Sequence, residues 1–128
     1  MTDTPKPAPI LRLRIHLSEG DWMGPGKADL LAGIAETGSI AAAGRRMDMS
    51  YKRAWMLIEV MNAMFEKPLV VAARGGAGHG GASLTAEGER VLALYRRMEA
   101  RAEAALAGEL AEMGEMGADP AGKAKAGE

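Results

Sequence analysis

Residues 39–55, SIAAAGRRMDMSYKRAW, constrain the fold more than any other stretch of the chain. Ser39 is a good N-cap for a short helix, on which Ile40, Ala43 and Met47 form one apolar stripe. Asp48 to Ser50 leave room for a tight break but not for a loop. Ser50 then caps a longer helix running to about Phe65. On it Ala54, Leu57, Ile58, Met61 and Phe65 fall at helical spacing, opposite Lys52, Arg53, Met56 and Ala63. Two capped helices joined by so short a break read as a helix-turn-helix.

The flanking segments complete an architecture around this pair. Residues 10–17, ILRLRIHL, alternate apolar and polar, the period of a half-buried strand, with Arg12, Arg14 and His16 on its polar face. Gly20, Gly24, Pro25 and Gly26 punctuate a turn, and Pro25 suits a helix start. In KADLLAGIAETG the residues Leu30, Leu31, Ile34 and Ala35 recur at helical spacing, Asp29 is expected near the positive end of the dipole, and Gly38 ends the helix. After Pro68, LVVAAR reads as a strand, GGAGHGG as a mobile turn and ASL as a short return strand. Thr85 caps a last helix carrying Val91, Tyr95, Met98, Ala102 and Leu106 on one stripe, a pattern that fades after about Glu109.

The expected fold is therefore mainly α with a small β hairpin: a winged helix-turn-helix with a long C-terminal helix. Residues 1–9 read as a disordered leader and residues 10–113 as the domain with a C-terminal dimerisation helix. Residues 114–128, rich in Ala, Gly, Glu and Lys, read as a low-complexity disordered tail. The stripe on the last helix extends farther than a small domain needs, so its outer half is expected to pack on a second copy.

Several function classes lose support on composition. The chain has no cysteine, which removes disulfides, thiolate metal sites and cysteine nucleophiles. His16 and His79 are its two histidines and lie in different segments, so no metal site and no cofactor is expected. No stretch is long and apolar enough for a signal peptide or a membrane span, which makes the cytoplasm the expected compartment. The serines lack a partner histidine or lysine at a known spacing, so no enzyme is expected. Residues 76–81 match GxGxxG, but a return strand follows where a dinucleotide site needs a helix to open. Ten methionines are read as core filler.

The formal net charge is −1, so any case for nucleic acid must be local. It is: residues 39–55 hold Arg45, Arg46, Lys52 and Arg53 against the single acid Asp48. In a helix-turn-helix the start of the second helix enters the major groove, which places Ser50, Tyr51, Lys52 and Arg53 at phosphates or base edges. Arg53 is the candidate for reading a guanine, Lys52 for a phosphate or a guanine, and Arg45 and Arg46 for phosphates. Tyr51 and Trp55, one turn apart, read as a brace between this helix and the domain. A glycine-rich wing brings backbone close to DNA, with Arg74 at its base and His79 at its tip as further contacts. The bland alternative is that the four basic residues are merely a solvated face; a separate one is a winged-helix protein-protein interaction module without DNA binding, which the near-neutral charge favours.

Residues 22–95 resemble the N-terminal DNA-binding domain of the molybdate-responsive transcriptional regulators of the ModE type. The segments that carry the likeness are GKADLLAGIAETGSIAAAGRRMDMSYKRAW, MNAMF, PLV, GGAGHGGASLT and EGERVLALYRRM. That family is a winged helix-turn-helix akin to LysR-type DNA-binding domains. The resemblance implies a homodimer on double-stranded DNA with a palindromic operator, a recognition helix holding Ser50 to Arg53, and a wing tip from Gly75 to Ala82. Regulators of that type carry a molybdate-binding region beyond this domain. The present chain ends after its last helix and tail, so the expectation is a stand-alone DNA-binding regulator, and molybdate binding is not carried over.

Overall fold

A computed structural model of the chain describes residues 8–74 and 80–118. In chain order its elements are β1 (Ile15–Ser18), β2 (Asp21–Met23), α1 (Pro25–Thr37), α2 (Ile40–Arg46), α3 (Tyr51–Met64), β3 (Val70–Arg74), β4 (Gly80–Leu84), α4 (Ala86–Ala105) and α5 (Ala107–Met116). The chain is mainly α, with two separate antiparallel strand pairs, β1–β2 and β3–β4. Residues 12–98 form one compact unit, and the described parts of 1–11 and 99–128 form another.

The larger unit holds the core. Leu30, Leu31 and Ile34 of α1, Ala43 of α2, Ala54, Ile58 and Met61 of α3, Leu69, Val70 and Ala82 of the β3–β4 region, and Tyr95 of α4 are all buried together. The stripes expected on α1, α2 and α3 are thus the faces that meet, except that Ala35 of α1 is exposed and Ala28 is buried instead. Gly33 lets α1 and α2 approach closely, since a Cβ there would lie 2.9 Å from the Ala43 Cβ. Gly38 ends α1 in the left-handed region at φ 69, its N–H donating to the Ile34 carbonyl.

Three sequence expectations change in this unit. The first strand is four residues long instead of the expected 10–17, because its partner β2 spans only Asp21–Met23 before Pro25 starts α1. A strand pairs no farther than its neighbour runs. Leu13 still packs on the core, and its carbonyl accepts the Tyr95 hydroxyl at 2.7 Å. Asp29 is one turn inside α1, not at its start, and its carboxylate accepts from Arg96 at 2.7 Å. The methionines divide: Met23 and Met61 are buried and Met47, Met49 and Met64 pack against the core, but Met56, Met98, Met113 and Met116 are exposed.

β2 brings an arrangement that alternation gave no hint of. The Lys27 ammonium lies 3.2 Å from the centroid of the Trp22 ring, and the Arg14 guanidinium carbon lies 3.8 Å from it. Lys27 is only 6% exposed. Desolvation pushes its pKa below the ordinary lysine value, the nearby Arg14 charge adds to the depression, and Asp21 opposes it.

In the smaller unit, residues 8–11 line an open, mainly apolar pocket of about 410 Å³ together with Glu103 from the end of α4 and Ala107, Leu110 and Ala111 of α5. Helix continues to Met116, past the residue where the tail was expected to begin. No helix among the described residues is long and apolar enough to cross a membrane.

Candidate nucleic-acid interface

The turn between α2 and α3 is built by backbone geometry that few residues tolerate. Asp48 sits at φ 54, a left-handed conformation that Asp accepts more readily than most side chains. The Gly44 carbonyl accepts from both Met47 N–H and Met49 N–H at 3.0 Å, closing the turn. Ser39 and Ser50 cap the two helices as expected. The Ser39 hydroxyl accepts from Ala42 N–H and the Ser50 hydroxyl from Arg53 N–H, each at 3.1 Å.

The first turn of α3 projects into solvent. Ser50, Tyr51, Lys52 and Arg53 are all exposed, while Ala54, one residue on, is fully buried. Lys52 and Arg53 form no ion pair among the described residues. Tyr51 departs from the expected brace. The residue is 54% exposed, its hydroxyl accepts from Trp55 Nε1 at 2.6 Å, and of the two Trp55 alone packs on the core. The donor nitrogen of Trp55 therefore tethers Tyr51 at the edge of the helix without burying it.

Arg45 and Arg46 occupy the last turn of α2 and are exposed. Their charge complements the negative end of that helix. Arg46 is paired at 3.5 Å with Glu36, an acid just outside the 39–55 window on which the charge count rested. Both side chains are largely solvated, 52% and 64% exposed. Such a surface pair contributes at most about 1 kcal/mol, so it yields readily to a phosphate.

The wing pairs Val70↔Leu84 through Arg74↔Gly80. Arg74 thus ends the ladder at its tip side, not at the wing base where it was expected, because the strand runs on to the residue before the connection; residues 75–79, His79 included, lie outside the described residues. The expected tip, Gly75 to Ala82, is too long at its far end. Gly80, Gly81 and Ala82 belong to β4, and Ala82 is buried. Its N–H donates to the Gly38 carbonyl at 3.0 Å, hanging the wing on the junction between α1 and α2. Gly81 stands in a strand, so the GxGxxG match opens no helix for a pyrophosphate.

One residue at the root of the wing escaped sequence reading altogether. The Asn62 side chain accepts from Leu69 N–H at 2.8 Å and Val70 N–H at 3.1 Å, and donates to the Val70 carbonyl at 3.0 Å. A lone Asn near a helix end carries no signal of such a role; only the folded path of the chain brings residue 70 to it.

Two helices across a tight turn, a projecting second helix and a β hairpin returning beside them define the class: a winged helix-turn-helix. Its residues 27–89 match the family model of the bacterial regulatory helix-turn-helix proteins of the lysR family. The chain is 47% identical over 81 residues to the molybdenum-pterin-binding protein MopB of Rhodobacter capsulatus, covering 63% of this chain and 30% of that one. It is 41% identical over 83 residues to the DNA-binding transcriptional dual regulator ModE of Escherichia coli strain K12, covering 65% and 32%. The chain thus spans about a third of the length of these relatives. Among solved structures it resembles the CbnR_DBD–DNA complex, with a TM-score of 0.53, 24% identity, and coverage of 68% of this chain and 94% of that one. That likeness concerns the fold.

Proposed function

We propose that this chain is a sequence-specific DNA-binding transcription regulator that acts in the cytoplasm as a homodimer. Lys52 and Arg53 read the major groove, Ser50 and Tyr51 contact the backbone beside them, and Arg45, Arg46 and Arg74 hold phosphates, with a lesser contact from His79. The observation that carries this reading is the exposed first turn of α3, where Lys52 and Arg53 stand clear of any acid among the described residues. A cation with no internal partner gives up little on meeting a phosphate or a guanine edge. The CbnR_DBD structure is a complex with DNA, and the same ligand suits this fold here.

The test is selection of bound duplexes from a random DNA pool, followed by affinity measurements across a range of salt. We expect an enriched motif and a log–log salt slope of about −0.9 for each phosphate neutralised. A flat slope with no enriched motif overturns the assignment. The second reading, a protein-interaction module, is favoured by Met56 and Val60, which are 53% and 39% exposed on the same α3 face as Lys52. It is adopted if DNA selection fails and Met56→Lys abolishes capture of a partner protein.

A further inference from the structure

We propose that Asn62 is a positioning residue for DNA binding: its side-chain amide locks β3 to α3, so that the helix and the wing meet one duplex as a single rigid reader. The inference rests on the DNA-binding reading above.

The argument starts from the turn between α3 and β3. α3 ends at Met64, and Pro68, which has no N–H, stands immediately before Leu69. Leu69 is fully buried, so its backbone groups need partners inside the protein. Its carbonyl accepts from Thr85 N–H at 2.9 Å, on the side of β4. Its N–H goes the other way, to Asn62 Oδ1.

Val70 repeats the choice more tellingly. Both its N–H and its carbonyl are bonded to the Asn62 amide. In an antiparallel pair alternate residues turn both groups away from the neighbouring strand. Val70, paired with Leu84, has both groups taken by Asn62, which serves as one peptide unit of a further strand along the free edge of β3. Three hydrogen bonds from one planar group fix rotation as well as distance. They do so from the helix that carries Lys52 and Arg53 at its other end.

The remaining ties at the wing root come from backbone or from α4. Ala82 N–H bonds the Gly38 carbonyl, and the Thr85 hydroxyl donates to the Pro68 carbonyl at 2.7 Å while accepting from Gly88 N–H at 3.0 Å. Among the described residues, Asn62 supplies the side-chain hydrogen bonds that run from the reading helix itself to the wing. Its oxygen accepts two bonds and its nitrogen donates one, and an aspartate would keep the two accepted bonds but place an oxygen against the Val70 carbonyl.

The experiment uses the full chain and a duplex enriched from the random pool, comparing the parent with Asn62→Asp and Asn62→Ala by hydroxyl-radical footprinting, salt titration and far-ultraviolet circular dichroism. With helicity unchanged, we expect both variants to keep protection and base preference in the centre of each half-site, where α3 docks. Protection on the flanks facing the wing is lost, and the salt slope becomes shallower by about 0.9 for each wing phosphate released. Asn62→Asp decides the matter if Asn62→Ala does not fold. An unchanged footprint, a uniform loss over the whole footprint, or an Asn62→Asp chain that does not fold overturns the positioning role. Failure of the parent to bind any duplex overturns the DNA-binding reading instead.

Discussion

At the scale of single residues, the proposed interface divides into side chains assigned to read and side chains assigned to hold. Arg53 is exposed, has its backbone N–H fixed by the Ser50 cap, and keeps its guanidinium clear of acids among the described residues. Arg53→Ala is expected to cost about 1 to 3 kcal/mol of binding and to relax the preferred base at one position of each half-site, measured by competition between single-base operator variants. Arg46→Ala is expected to weaken all sequences alike, because a phosphate contact carries no base information. Lys27 gives a prediction of another kind. Its pKa is lowered in the folded chain, first by desolvation and then by Arg14, so the unfolded chain binds more protons between the lowered value and the ordinary one. Stability therefore rises with pH through that window. Replacing Lys27 with Met should flatten this rise in thermal melts recorded across alkaline pH, and an unchanged pH profile would count against the assignment.

At the scale of elements, the knot around Leu69 joins α3, the wing and α4. A Cβ on Gly88 would collide with the Leu69 carbonyl oxygen and lie 3.0 Å from its carbon, both of them backbone atoms that cannot swing aside. Gly88→Ala should destabilise the chain by about 1 to 3 kcal/mol in denaturant titrations, the usual range for forcing extra volume into a packed site. Gly108 in α5, where a Cβ meets nothing within 4 Å, is the control: its replacement with Ala should not destabilise. The helices themselves were legible because caps and apolar stripes are local properties. Ser39, Ser50 and Thr85 each accept the N–H three residues on, as their positions predict. β2 was not legible, since three residues between glycines are too short to show a period, and the start of β4 was hidden in a glycine run that also reads as a turn.

For the whole molecule, the proposed dimer is the largest step from one chain to function. Leu94 and Met98 stand one turn apart on α4, each 41% exposed, while Tyr95 between them is buried in the core. A second copy is the occupant that supplies the two-fold symmetry a palindromic operator requires. Light scattering should give twice the chain mass, and the selected motif should contain two inverted half-sites about 34 to 36 Å apart. Met98→Glu is expected to yield a monomer of unchanged helicity with weakened operator binding. A monomeric parent, or a motif with a single half-site, would remove the dimer.

The sequence by itself determined the capped helix pair, the polarity of each helix and the cluster of Arg45, Arg46, Lys52 and Arg53 at one turn, because each depends on residues within a turn or two of one another. Tertiary structure decided what those groups meet. It paired Arg46 with Glu36, left Tyr51 at the surface under the Trp55 hydrogen bond, stacked Lys27 and Arg14 on Trp22, and brought Val70 to Asn62. The physical reason is that a hydrogen bond or ion pair between different elements depends on where the core places them, and no local period encodes that distance.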